Sequence, residues 1–294
     1  MSAAAVDPVK RGRDPVSVLL RMWGVAVYVF LFLPIVVIVI YSFNNGRSIL
    51  TFDGVGLDGY RTGTTDPTII DAIKTSIVVA SGTALIATIL GTAAGIALAR
   101  RKGRWSILFL ALVFLILVTP EIVDAIALLI WYVRIGGPFG PALEIPGVTF
   151  GILRLWVGHS LFATAVVTLI VRARLEGLEE SLEEAAADLY ASPARRFREI
   201  TLPLMLPAVL AGALLAFSFS LDDTIISSFV SVAGSSPWPV YVFSAVRNAL
   251  RPEVASVSTL LLFLTLFAIA CVALALRRGG QSGEEVAKTM TGGG

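Results

Sequence analysis

The sequence predicts an all-α, polytopic membrane protein with six transmembrane helices, and three observations support this fold class. Of the 294 residues, 56% are hydrophobic and 15% are charged, and the mean hydropathy is +0.85, which is too apolar for a soluble domain. The apolar residues form runs of about 20 residues, the length that an α-helix needs to cross a bilayer. Polar, turn-rich segments separate these runs, so one buried core is excluded. We expect the membrane domain over residues 22–278.

The first residues of the chain are expected in the cytoplasm. Residues 1–21 form a basic tail interrupted by prolines, and the first span follows over residues 22–43, with a kink expected at Pro34. Residues 44–67 hold Asn-Gly and Asp-Gly pairs that are typical of turns, which predicts an external loop.

The second span is predicted over residues 72–99. Gly91 and Gly95 lie four residues apart on one of its faces, where small residues would let a neighbouring helix approach closely. A basic cluster follows directly and should keep the next loop on the cytoplasmic side. It consists of Arg100, Arg101, Lys102 and Arg104.

The third span begins at Trp105 and reaches Pro120 in the middle of its apolar run. Because proline interrupts helical hydrogen bonds, we expect either a helix broken near Thr119-Pro120 or a span followed by a second short helix. Two acidic residues, Glu121 and Asp124, lie just beyond this point.

Three further spans complete the predicted topology. They are expected over residues 151–171, 204–230 and 254–276, with external loops at about 136–150 and 231–252 and a glycine-rich tail over 279–294. Most of the 23 lysines and arginines then fall in segments that lie inside, so both termini are expected in the cytoplasm.

The longest polar interruption among the spans covers residues 176–203 and predicts two short amphipathic helices. Gly177 can end the incoming helix, and Ser181 with Glu184 three residues later fits a capping box that opens a new one. The apolar stripe of this first helix would consist of Leu182, Ala185, Ala186 and Leu189. Its water-facing residues would be Glu179, Glu180, Glu183 and Asp188.

A second short helix is predicted to begin at Ser192-Pro193, because serine is a preferred N-cap and proline suits the first helical position. Leu202-Pro203 is expected to stop this helix. Its residues include the apolar Phe197 and Ile200 and the basic Arg195, Arg196 and Arg198. Two such helices between spans are typical of a docking element for another protein.

The chain shows no sequence pattern of an enzyme or of an ATP-binding site. It has no glycine-rich phosphate-binding loop with its lysine and no metal-ligand spacing, and the single Cys271 excludes an internal disulfide. The sole histidine, His159, is expected to be a packing or interfacial residue rather than a proton relay. We expect neither a cofactor here nor nucleic acid among the partners.

Acidic residues inside apolar segments predict a polar path through the membrane. Asp222-Asp223 lies in the predicted fifth span, where a carboxylate is costly unless it faces a water-filled path or a partner. Successive helical residues diverge by about 100°, so only one of the two is expected to point into a narrow path. Glu121 and Asp124 are expected at a similar depth, and Trp131 is a candidate ring face for an ammonium group.

Two alternatives for the Asp222-Asp223 pair stay open. Ser220 and Asp223 fit a capping box that would restart a helix after a local break, and either carboxylate could pair with an arginine. The other aromatic side chains that could face an ammonium group, or simply pack between helices, are Tyr132, Phe217, Phe219 and Trp238.

The polar segment resembles the EAA motif of ABC importer permeases. The motif begins with Glu184-Ala185-Ala186. Position 190 follows after three intervening residues, and nine further residues separate it from Ile200, Thr201, Leu202 and Pro203. In that family the motif forms cytoplasmic coupling helices that sit in a cleft of the ATPase subunit. Tyr190 stands where the family usually has glycine, so either Tyr190 tolerates a positive φ or the bend moves to Ala191-Ser192. The resemblance implies an ATPase contact through Glu184, Ala185, Ala186, Asp188, Leu189, Tyr190, Phe197 and Ile200.

Much of the chain also resembles the spermidine/putrescine permeases, in particular their second, C-type subunit. The similar stretches are PEIVDAIALL at residues 120–129, LDDTIISSFVS at 221–231 and PVYVFSAVRNALRPEVASVSTLLL at 239–262. The resemblance implies a six-span permease in the cell membrane that works with a second homologous permease, an ATPase dimer holding ATP and Mg, an external substrate-binding protein and membrane lipid. It implies a polyamine substrate, with another small solute such as a sugar or an anion, or a secondary transporter, as alternatives.

Overall fold

The computed structural model describes residues 15–46, 48–49, 51–101, 103–134, 149–178, 181–248 and 251–278. Within these ranges the chain is almost entirely helical, and the one β-type pairing there is an isolated bridge between Asn44 and Val55. Most of the predicted loop at 136–150, most of the tail at 1–21, all of the tail at 279–294 and the side chains of Lys102, Glu179 and Glu180 lie outside the described residues.

Twelve α-helices and one π-helical turn make up the described part of the chain. In chain order they are α1 (Pro15–Tyr41), α2 (Asp58–Thr65), α3 (Pro67–Arg100), α4 (Arg104–Val118), α5 (Glu121–Arg134), α6 (Phe150–Glu176), α7 (Ser181–Asp188), α8 (Pro193–Arg196), the π-helical turn Phe197–Thr201, α9 (Leu202–Asp222), α10 (Ile225–Val230), α11 (Trp238–Asn248) and α12 (Pro252–Arg278).

Five helical segments are long and apolar enough to cross a membrane, and the bent pair of α4 and α5 supplies a sixth. The five are α1, α3, α6, α12 and the continuous run from α8 through the π-helical turn into α9. The axes of α4 and α5 differ by 103°, and the extended backbone of Thr119 separates them. The predicted break near Thr119-Pro120 is therefore confirmed, and the six predicted spans are obtained when α4 and α5 are counted as one span; the first helix begins earlier than predicted, at Pro15.

The centre of the bundle is formed by α3, α6 and α9, which make the most extensive helix contacts in the described chain. A Cβ atom at Gly91 would lie 2.6 Å from the Cβ of Val167, and one at Gly95 would lie 2.9 Å from the Cβ of Val171. Only glycine permits this approach, so the predicted close-packing face is confirmed. The buried residues around it include Ala87, Ala163, Val167, Val171 and Met205.

Two spans, α1 and α4, lie at the periphery of the bundle. The apolar side chains of α1 are largely exposed, Phe30 at 76% among them, and α4 buries only Val113. In a membrane such faces pack against lipid tails or another membrane helix rather than against water. These helices offer the surface on which lipid or a second membrane subunit would lie.

The predicted external loop between α1 and α3 contains the short helix α2, which the sequence analysis did not predict. Its sequence has no apolar run, and it is held by packing against α12: a Cβ at Gly63 would lie 2.6 Å from Val257. The loop before it is organised by Asn44, whose amide donates to the carbonyls of Ser48 at 3.0 Å and Thr51 at 2.6 Å. This end of the molecule is therefore ordered by specific polar contacts.

The fifth span differs from the prediction at both ends. The expected stop at Leu202-Pro203 is wrong, because the N–H of Leu202 bonds to the carbonyl of Phe197 and this π-helical turn carries the helix past a proline that has no N–H. At the other end α9 ends at Asp222 and a new helix begins at Ile225, so the span is broken before its predicted end.

Candidate functional site

Two regions at opposite ends of α9 contain the residues that the sequence analysis singled out. The first is the coupling loop, residues 176–203, and the second is the carboxylate cavity at the break between α9 and α10. With 21 residues in α9 and 1.5 Å of rise per residue, roughly 30 Å of helix separates them.

The coupling loop begins where α6 ends. Gly177 follows the last residue of α6, and its N–H bonds to the carbonyl of Ala173 at 3.2 Å. The next helix begins at Ser181, as predicted, and Ser192 caps the helix after it by accepting from the N–H of Arg195 at 3.4 Å. The first predicted short helix is therefore present, and the second begins at Ser192-Pro193 as predicted but continues into α9.

The turn between these helices has its left-handed residue at Tyr190, with φ of 60°. The N–H of Tyr190 bonds to the carbonyl of Ala187 at 2.9 Å, and that of Ala191 bonds to Ala186 at 3.0 Å, which is the Schellman pattern of a helix end. Tyr190 thus adopts the conformation itself, and the alternative of a bend moved to Ala191-Ser192 is wrong. A residue with a Cβ loses about 1–2 kcal/mol there.

Glu183 was predicted to face water, and that prediction is wrong. Its carboxylate forms an ion pair with Arg100 at the end of α3 and accepts a hydrogen bond from the Oγ1 of Thr201 at 2.5 Å. The reason is tertiary, because the end of α3 and the π-helical turn both lie beside α7. Glu183 thereby joins three elements, and the basic Arg100 segment lies at the same end of the bundle as the coupling loop.

Most of the predicted ATPase-contact residues lie on exposed parts of the coupling loop. Leu189 is 82% exposed and Tyr190 is 97% exposed, although both are apolar or aromatic. Ala186 and Ile200 are half-buried. We call the exposed set the coupling surface, and it consists of Glu184, Ala185, Asp188, Leu189, Tyr190 and Phe197.

The carboxylate cavity lies where two broken helices meet. The break at Thr119-Pro120 and the break at Asp223-Thr224 border a cavity of about 470 Å³. The four carboxylates that the sequence analysis assigned to the substrate path all line this cavity; they are Glu121, Asp124, Asp222 and Asp223. The structure therefore brings together residues from two distant stretches of the chain.

Both aspartates line the cavity, so the expectation that only one of them reaches it is wrong. The helical divergence on which it rested does not apply, because Asp223 has an extended backbone, with φ of −60° and ψ of 108°. Its Oδ1 accepts a hydrogen bond from the N–H of Ser227 at 3.3 Å, so Asp223 stabilises the first turn of α10, whose N-cap residue is Thr224. The predicted restart of a helix is thus correct, but Ser220 does not take part in the cap.

Trp131 does not line the carboxylate cavity. It packs against a buried cluster that includes Leu155, and its ring stacks on Tyr132 with 5.7 Å between centroids. Two other rings, those of Phe162 and Phe219, line the cavity and meet edge to face at 5.5 Å. An aromatic contact for a bound cation would therefore come from these phenylalanines.

The carboxylates of the cavity have no lysine or arginine partner in the described chain. None of the four forms an ion pair with a lysine or an arginine there, so the alternative of an arginine pair finds no support. Nor do three His, Cys, Asp or Glu side chains come together as metal ligands among the described residues. The cavity thus presents acidic groups that no lysine or arginine of the described residues neutralises.

The sequence analysis did not place His159 in this region. His159 of α6 is 3% exposed and lines the cavity, and its two ring nitrogens contact the hydroxyls of Ser220 at 2.7 Å and Ser227 at 3.0 Å. The expectation of a packing residue is correct for its burial but omits these bonds. No local pattern could have predicted them, because the partners lie more than 60 residues away.

Known proteins similar to this chain are transport-system permeases. Residues 87–278 match the family described as "Binding-protein-dependent transport system inner membrane component". The chain is 36% identical over 252 residues to the putrescine transport system permease protein PotI of Escherichia coli K12, covering 85% of this chain and 86% of that one. It is 34% identical over 252 residues to the spermidine/putrescine transport system permease protein PotC of Haemophilus influenzae, covering 86% of this chain and 94% of that one.

Solved structures share the fold at low sequence identity. A chain of a bacterial alginate ABC transporter, solved in complex with an alginate pentasaccharide-bound periplasmic protein, has a TM-score of 0.70 and 13% identity, covering 91% of this chain and 96% of that one. A chain of an amino acid ABC transporter solved with histidines has a TM-score of 0.53 and 18% identity, covering 75% of this chain and 98% of that one. These likenesses concern the fold alone.

Proposed function

This chain belongs to the family of binding-protein-dependent transport system inner membrane components, and from that membership we infer that it is the transmembrane permease subunit of an ABC importer. The observation that carries the proposal is the continuous helix from α8 into α9, which connects the exposed coupling loop with the carboxylate cavity. A rigid connection of this kind transmits a displacement from one end to the other.

Energy enters at the coupling surface in this proposal. An ATPase dimer, which binds ATP and Mg, contacts the coupling loop of this chain and that of a second homologous permease. Closure of the dimer moves the coupling loop, and α9 follows because Glu183 ties α7 to Arg100 and Thr201. The spans then alternate between inward and outward openings, and an external binding protein delivers the substrate.

The proposed substrate is a polyamine, such as putrescine or spermidine. Polyamines carry several ammonium groups, and the cavity offers four carboxylates without a lysine or arginine partner in the described chain. The names of the relatives PotI and PotC agree with this substrate class. A cation in the cavity would offset the cost of keeping carboxylates inside a membrane.

The proposed location is the cell membrane, with both termini and the coupling loop on the cytoplasmic side. Two observations support this orientation: the excess of basic residues in the segments assigned to the inside, and the contact of Arg100 with the coupling loop. An ATPase in the cytoplasm would reach the loop only in this orientation.

Competition for uptake tests the substrate. The complete transporter takes up labelled putrescine, and excess unlabelled spermidine, a neutral sugar or an organic anion is added. We expect spermidine to compete and the sugar and the anion to have no effect. Competition by the sugar or the anion alone would assign the transporter to another small solute.

A further inference from the structure

The break between α9 and α10 is held by a side chain from a third helix. Ser220 lies in the last turn of α9 and Ser227 in the first turn of α10, and both hydroxyls contact the imidazole of His159 on α6. The ring therefore spans a break at which the backbone helix is interrupted. It fixes the relative position of the two helix ends.

The sequence of α6 allows His159 to reach both partners. The preceding residue, Gly158, faces α10, and a Cβ there would lie 2.9 Å from the Cγ2 of Ile226. The absence of a side chain lets α10 approach α6 closely, so the ring of His159 is nine-tenths or more buried between the helix ends. The contact is thus built by packing and by hydrogen bonds together.

The bonds are satisfied by an uncharged imidazole. A neutral ring donates from one nitrogen and accepts at the other, and each serine hydroxyl can take either role. The carboxylate of Asp223 lies 3.6 Å from Nε2 of His159, beyond a hydrogen bond, while its Oδ1 accepts from the backbone of Ser227. Asp223 is therefore oriented by the backbone of Ser227, the residue whose hydroxyl contacts His159. It forms no hydrogen bond with the ring itself.

We propose that His159 is a positioning residue for the substrate path: it bridges the break in the fifth span through Ser220 and Ser227 and so directs the Asp223 carboxylate into the cavity. This inference rests on the proposed function, because it assigns Asp223 to the path of a cationic substrate. The ring contributes geometry, and the negative charge that attracts the ammonium group stays on Asp223.

The test measures how many putrescine molecules the reconstituted complete transporter moves for each ATP that is hydrolysed. This ratio distinguishes a loss of positioning from a general loss of activity. We expect His159→Leu to lower this ratio about tenfold, as loss of a buried hydrogen-bonded bridge implies, while ATP hydrolysis stays within about twofold. His159→Gln keeps a donor and an acceptor at the far end of the side chain, near Ser227, and should retain most of the ratio. A merely structural defect would lower transport and ATP hydrolysis together.

A double-mutant cycle with Asp223→Asn tests whether His159 acts through that carboxylate. We expect His159→Leu to have no further effect in the Asp223→Asn background. Additive losses, or an unchanged ratio in His159→Leu, would overturn the proposal. If Asp223→Asn itself leaves the ratio unchanged, the assignment of the substrate path fails, which is a different result from failure of the positioning role alone.

A second pair of variants serves if His159→Leu does not assemble. Ser227→Ala removes one contact of the bridge, whereas Ser228→Ala, on the exposed side of α10, removes only a local bond to the carbonyl of Thr224. The ratio should fall in Ser227→Ala and stay unchanged in Ser228→Ala. Equal ratios in the two variants would contradict the proposal.

Discussion

Polar and apolar side chains are arranged differently at the two ends of α9. At the coupling loop, Glu183 is satisfied inside the chain, while Leu189 and Tyr190 are almost fully exposed. At the cavity, the rings of Phe162 and Phe219 contact each other, and the carboxylates lack a lysine or arginine partner in the described chain. Exposed apolar residues fit a contact with another protein, whereas uncompensated carboxylates fit a cation. This difference distinguishes the end of α9 that would contact the ATPase from the end that would bind the substrate.

The largest effect is expected from reversing a charge on the coupling surface. Glu184→Lys should reduce ATP-dependent uptake about 100-fold or more, the loss expected when a central interface contact is replaced by a repulsive one. The chain should remain in the membrane, because Glu184 is exposed and has no packing role. Uptake and membrane content are measured together in the same cells, and undiminished uptake would refute the coupling role.

Neutralising a carboxylate of the cavity should have the next largest effect. It should lower uptake without weakening the contact with the ATPase. Asp222→Asn and Asp223→Asn each remove one negative charge from the path, so putrescine uptake should fall about tenfold with either. The ATPase subunit should still copurify with both variants, because the coupling surface is intact. Uptake equal to wild type in both variants would mean that the cavity does not select a cation.

A smaller effect is expected at the contact that links the coupling loop to α3. Glu183→Ala removes the partner of Arg100 and Thr201, and a partly exposed pair of this kind contributes about 1 kcal/mol or less. Uptake should fall severalfold, and Arg100→Ala should add little in the Glu183→Ala background. Fully additive losses would show that the two residues do not act together.

The smallest expected effect concerns Tyr190 and separates strain from contact. Tyr190→Ala removes the ring and keeps the Cβ in the left-handed conformation, whereas Tyr190→Gly removes both. If the ring contacts the ATPase, both variants should bind it more weakly than wild type and to a similar extent, whereas relief of the backbone strain should make Tyr190→Gly more stable to unfolding than Tyr190→Ala by about 1 kcal/mol. Affinity for the isolated ATPase subunit measures this, and an affinity equal to wild type in Tyr190→Ala would exclude a ring contact.

The spans and their close packing could be predicted because hydropathy and residue size are local signals. The apolar runs located the six spans, Pro120 located the break in the third, and Gly91 and Gly95 located the helix contact. The spacing from Glu184 to Pro203 located the coupling loop. In each case the information lies within a few turns of one helix.

The contacts that join distant parts of the chain could not be predicted in this way. In the sequence, Glu183 has the pattern of an exposed helical glutamate, and its ion pair with Arg100 is seen only in the folded chain. His159 shows its role only when α9 and α10 are both packed on α6. Trp131 was assigned by residue type, and whether its ring reaches the cavity depends on how α5 packs against the cluster around Leu155 rather than on sequence spacing.

The central claim is that one end of α9 couples to ATP and the other selects the cargo. Its most direct test records ATP hydrolysis stimulated by the binding protein and putrescine uptake together, in the reconstituted transporter, for Glu184→Lys and for the double variant Asp222→Asn with Asp223→Asn. We predict that Glu184→Lys loses both activities and that the double aspartate variant keeps ATP hydrolysis while losing uptake. Parallel loss of both activities in the double aspartate variant, or uptake retained in Glu184→Lys, would contradict the claim.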